Sequence, residues 1–150
     1  MTPWVLAQPS ASLPSSAASP TGSKYADLYE EHAATLPPDA SIGDGDFEHI
    51  GRIELAILTD AGLTPSSSLF DFGCGTGRLA VHAVPFLAEG NYLGTDISPT
   101  MLRHAAGLLT TRLGAVPANA RFETQPDERF PVTSPPDMFC AFSVLVLRVL

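Results

Sequence analysis

Two cysteines and eight Lys or Arg residues are all that this chain of 150 residues carries of either kind. So few cysteines exclude a disulfide-rich scaffold and a four-cysteine zinc site. The eight bases face 16 acids, a net charge of −8. That balance argues against nucleic acid as the main partner, because phosphate binding needs a basic surface. No apolar run approaches the roughly 18 residues of a membrane-spanning helix. No Lys or Arg precedes Lys24, which fits neither a secretory signal nor an Arg-rich transit peptide. The expectation is a soluble protein of the reducing cytoplasm, with no membrane partner. Hydrophobic residues make up 45% of the chain, enough for a folded core.

The charge is unevenly placed. Residues 1–23 hold four Pro, six Ser, four Ala and no charged side chain, and read as a disordered tail. Between Asp27 and Asp60 lie nine acids and a single base, Arg52, which accounts for the whole net charge. Residues 24–62 are therefore expected to form an acidic helical cap, with one helix over Tyr25–Ala34. A second begins after Asp46, where Phe47, Ile50, Ile53, Ile57 and Leu58 recur at helical spacing. Residues 63–150 are nearly neutral and form the remaining unit.

That unit alternates strands with helices. Strands are expected at Leu69–Phe72, Tyr92–Asp96, Arg121–Thr124 and Phe139–Leu147. Helices are expected at Arg78–Ala88, with Pro85 kinking or shortening it, and after Ser98-Pro99, a good N-cap and first turn. The fold class that follows is α/β, a Rossmann-like, doubly wound and mostly parallel sheet.

The chemistry sits in Asp71-Phe-Gly73-Cys-Gly75-Thr-Gly77. A strand running into alternating glycines and then a helix lets backbone amides approach a ligand without an intervening Cβ. No Gly-Lys-Ser/Thr follows, so a P-loop is excluded. Cys74 lacks nearby partners for a metal, and no metal is expected. His82 and His104 read as surface or packing residues. Gly75 to Ala80 matches the G-x-G-x-x-A dinucleotide fingerprint, and Asp96 follows at the spacing of a ribose-binding acid. Asp71 discriminates. A carboxylate at this turn repels a pyrophosphate but welcomes a ligand bearing an amine and a sulfonium, which favours S-adenosylmethionine over NAD(P).

At these residues the sequence resembles a known family. LFDFGCGTGRL, Leu69 to Leu79, is similar to motif I of class I S-adenosylmethionine-dependent methyltransferases. YLGTDISPTML, Tyr92 to Leu102, resembles their next motif, and FCAFSVLVL, Phe139 to Leu147, their strand-four motif. The resemblance implies that Asp71 orients the methionine part of the cofactor. It implies that Gly73, Cys74, Gly75 and Gly77 line that part with backbone, and that Asp96 takes the ribose hydroxyls. It places Ile97 against the adenine, with Ser98 and Met101 nearby, and Tyr25 as a residue that closes over the cofactor. Plain packing is the competing reading for Ile97, Met101 and Tyr25. The family's acid after strand three has Asp127 as its nearest counterpart. A histidine common after strand four is replaced by Leu147, so no catalytic base is assigned.

The family sheet has seven strands, and the implied order of the four here is 3-2-1-4. In that order the apolar Phe139–Leu147 segment becomes an edge, a template for self-association. The chain is thus expected to be an incomplete domain that keeps most of the cofactor half. The expected activity is methyl transfer to a small-molecule acceptor. The alternatives are an NAD(P)-binding oxidoreductase-type domain and a non-catalytic cofactor-binding remnant.

Overall fold

The computed structural model describes residues 24–35, 46–125 and 134–142. The expected tail at 1–23, Asp127 and residues 143–150 lie outside the described residues. In chain order the elements are α1 (Lys24–Thr35), α2 (Phe47–Asp60), β1 (Ser68–Phe72), α3 (Ala80–Phe86), β2 (Asn91–Asp96), α4 (Pro99–Leu113), β3 (Ala120–Thr124) and β4 (Met138–Cys140). The strands form one sheet in the order β3-β2-β1-β4, and every neighbouring pair is parallel. This is the α/β, Rossmann-like arrangement expected from the sequence.

Local chemistry sets the helix ends. The Asp46 carboxylate accepts from the His49 backbone N–H at 3.0 Å and starts α2. Ser98 does the same for α4, accepting from the Met101 N–H at 3.1 Å, with Pro99 in the first turn. Gly114, at φ +85°, ends that helix in the left-handed conformation open to glycine.

Two expectations need correction. The third helix starts at Ala80, not Arg78, because the glycine turn continues through Leu79. The helix expected from the apolar spacing after Asp46 forms as α2, and the residues it buries are Gly51, Glu54 and Leu58, while Ile53 and Ile57 are exposed. The described part of the fourth strand is only Met138–Cys140, and Phe139 within it is 50% exposed. Its start is pinned by Asp137, whose carboxylate accepts from the Ser68 backbone N–H at 2.7 Å and hydroxyl at 2.8 Å.

The core lies between the sheet and its helices. Leu69, Leu79, Ala83, Val84, Leu87, Tyr92 and Leu109 form its centre. β1 and β2 are buried nearly throughout, as expected of central parallel strands. Both strands end, in register, at one edge of this core: Phe72 pairs with Thr95, and Asp96 pairs with Thr124 of β3. Among the described residues no helix is long and apolar enough to cross a membrane.

Candidate functional site

β1 leaves the sheet into Gly73, Gly75 and Gly77, whose φ values are +73°, +55° and +89°. A side chain at any of these would be strained, so the glycines are required by the turn itself. The Gly73 and Cys74 N–H groups both donate to the Thr95 carbonyl, at 2.7 and 2.9 Å, which ties the loop to β2. Gly77 also lies close to α4: a Cβ there would meet the Ala105 Cβ at 3.1 Å.

Asp96 joins two loops. Its Oδ2 accepts from the Gly75 N–H at 3.0 Å and its Oδ1 from the Ser98 N–H at 2.9 Å. Burial raises its pKa, while the backbone N–H groups of Ser98, Gly75 and Ile97 pull it back down. Glu30 of α1 reaches the same region, accepting hydrogen bonds from the Ser98 and Thr100 hydroxyls.

Asp71 lies under the glycine turn and is 3% exposed. Its Oδ2 accepts from the Tyr92 hydroxyl at 2.6 Å, and its Oδ1 from the Cys140 thiol at 3.6 Å. Burial pushes its pKa up to about 6, against the Tyr92 hydrogen bond, and the negative charges of Glu54 and Asp96 add to the rise. A small open cleft is lined there by Glu54, Asp71, Gly73, Cys74, Arg78 and Phe142. Burial also raises the pKa of the Cys74 thiol, with the Asp71 and Asp96 charges adding. It is a protonated wall residue at neutral pH.

The structure therefore gathers Asp71, Gly73 and Cys74 at one cleft and links Gly75, Asp96 and Ser98 by hydrogen bonds beside it. Ile97 follows Asp96 and is half-buried, and Met101 is fully buried in the first turn of α4. Asp127 falls outside the described residues, and so does the side chain of Tyr25. Three residues of this region went unnoticed in the sequence. Glu54 is a buried acid contributed by α2, and Arg78 binds it. Gln125 follows β3, with its backbone N–H donating to the Asp96 carbonyl at 2.9 Å. Its side chain is buried, and neither carboxamide atom has a partner among the described residues. The available signals were slight: a charged residue between Ile53 and Leu55, a base next to the last glycine, and an amide directly after the third strand.

A family model described as "Methyltransferase domain" matches residues 70–147. Among solved structures, the chain is similar to the magnesium protoporphyrin IX methyltransferase of Synechocystis with bound SAM. The identity is 23% over 67% of this chain and 53% of that one, with a TM-score of 0.50. A SAM-dependent methyltransferase from Anabaena variabilis is 21% identical over 67% of this chain and 39% of its own, with a TM-score of 0.49. The first likeness is one of fold. The chain thus spans about half the length of the Synechocystis protein.

Proposed function

This chain belongs to the methyltransferase domain family, and we propose that it binds S-adenosylmethionine at the glycine turn and transfers the methyl group to a small-molecule acceptor. The observation that carries this reading is Asp71, a buried carboxylate directly beneath three glycines of positive φ. A dinucleotide would bring its diphosphate to this turn. There it would meet the carboxylate of Asp71, while the Glu54 carboxylate in the same cleft is already paired with Arg78. A ligand bearing an ammonium and a sulfonium is attracted by Asp71 instead.

The other residues fit the same cofactor. The turn offers backbone with no Cβ in the way. Asp96 spends one lone pair of each oxygen on Gly75 and Ser98, and a carboxylate has further lone pairs for two ribose hydroxyls. Gln125 offers one acceptor and one donor, a match for the amine and ring nitrogen along an adenine edge. When bound, the cofactor supplies a methyl group on a sulfonium, already a good leaving group. The chain's contribution is then to bind and align. Asp71 holds the charged end, Asp96 fixes the ribose, and Gln125 sets the rotation of the base. A proton acceptor is needed only for a weakly nucleophilic acceptor group. The acidic stretch from Asp27 to Asp60 repels a polyanion, which supports a small molecule over a nucleic acid as acceptor.

Isothermal titration with S-adenosylhomocysteine and with NAD tests the reading. S-adenosylhomocysteine is expected to bind and NAD to give no heat. Binding of NAD alone would overturn it.

A further inference from the structure

Arg78 is the first residue after the last glycine of the turn, and its guanidinium does not point to solvent. Nε and Nη2 both donate to Glu54 Oε1 of α2, at 3.1 and 2.5 Å. The two side chains are only 15% and 7% exposed. A second contact presses the same helix onto the same residue. Gly51, one turn before Glu54, packs so closely that a Cβ there would lie 2.5 Å from the Arg78 carbonyl oxygen and 2.7 Å from the His82 ring. The helix is thus fitted to the end of the glycine turn by a charge pair and by a missing side chain. α2 also lies outside the residues that the family model matches.

We propose that the Glu54–Arg78 pair is a strut by which α2 holds the glycine turn in its ligand-binding geometry, making both of them positioning residues for the amino-acid end of the cofactor. The physical argument runs through mobility. Glycines at positive φ define the turn but also leave its backbone conformationally permissive. A short α3 with no side-chain N-cap cannot hold its own entrance. Two Arg78 donors converging on one Glu54 oxygen fix direction as well as distance, which a single-point charge cannot do. The loop backbone between Gly73 and Arg78 is then held at one end by the Thr95 carbonyl and at the other by Glu54. Both charges also line the cleft beside Asp71. The part of a ligand that feels a slack turn is therefore the part lying in that cleft.

The cofactor side of this proposal rests on S-adenosylmethionine binding, and the test separates the two. Glu54→Gln and Arg78→Lys are compared with the parent chain by amide hydrogen exchange and by titration with S-adenosylhomocysteine and methylthioadenosine. Methylthioadenosine shares the adenosine but lacks the amino-acid end. Expected is faster exchange at Gly75 to Leu79, unchanged exchange in β2, and roughly tenfold weaker S-adenosylhomocysteine binding with methylthioadenosine little affected. Arg78→Lys keeps the charge and serves if Glu54→Gln folds poorly. Unchanged exchange at the turn, or equal loss of both ligands, overturns the strut. A parent chain that binds neither ligand, with the exchange result as expected, leaves the strut standing and removes the proposed function.

Discussion

The Tyr92 hydroxyl on β2 donates to Asp71 Oδ2 on β1 across 2.6 Å, directly under the glycine turn. Tyr92 is 1% exposed and its ring packs edge-on against Phe122 at 5.9 Å. The bond favours the ionised carboxylate, against burial that favours the acid. Tyr92→Phe keeps the ring and removes only the donor. The pKa of Asp71, about 6 in the parent, should then move higher. If the ionised Asp71 holds the charged end of the ligand, S-adenosylhomocysteine affinity in the parent falls as pH drops through about 6. In Tyr92→Phe the same fall should begin at higher pH. Titration calorimetry across the range checks it, and superimposable profiles would mean that Asp71 does not govern binding.

Asp71 also makes a stability prediction. Its pKa is raised from 3.8 to about 6 in the folded protein. Between those values the folded state holds a proton that the unfolded state has lost, so stability declines as pH rises through that window. Above it the deficit is constant, on the order of 3 kcal/mol for a shift of this size. Asp71→Asn has no charge to desolvate. It should raise the unfolding midpoint at neutral pH, lose that advantage by about pH 4, and bind S-adenosylhomocysteine more weakly. Thermal unfolding at several pH values tests it, and a variant less stable than the parent at neutral pH would contradict it.

These relationships mark where the sequence could be read and where it could not. Gly73, Gly75 and Gly77 were legible because only glycine takes the backbone they require, and all three sit at positive φ. Ser98-Pro99 was legible because a cap acts within its own turn. The sheet order came from resemblance, which the alternation of strands and helices supported but did not fix. Glu54 was not legible, because periodicity assigns an acid to solvent. Its burial depends on Arg78, 24 residues away. Tyr92 and Asp71 meet only through strand register, 21 residues apart. Ile53 and Ile57, on the helix their spacing marks but exposed, show the converse: an apolar spacing shows that a helix has a face but not that the face is covered.

Ser98 serves two partners at once. Its hydroxyl accepts from the Met101 N–H at 3.1 Å and donates to Glu30 of α1. Ser98→Ala removes the N-cap of α4 at a cost of about 1 kcal/mol. It also removes a tie between α1 and the loop that carries Asp96. The expected result is a modest fall in unfolding midpoint with a larger rise in amide exchange along α1. Exchange in α1 equal to the parent's would show that Thr100, the other hydroxyl bound to Glu30, suffices.

Gln125 offers the sharpest opposition between stability and function. Its carboxamide is buried with neither atom partnered among the described residues, a state that costs about 1–3 kcal/mol for each group left without a partner. Gln125→Met keeps the length of the side chain and removes both polar atoms. Without ligand the variant should therefore be more stable than the parent, by on the order of 1 kcal/mol. With ligand the sign reverses. If the carboxamide meets an adenine edge, losing it should weaken S-adenosylhomocysteine binding about tenfold, because the base loses an acceptor and a donor together. A parallel titration with the inosine analogue of S-adenosylhomocysteine separates recognition from packing. The parent should discriminate against the altered base edge, and Gln125→Met should bind the two nucleosides alike. A variant that is stabilised but still discriminates would place the base elsewhere along the ends of β2 and β3.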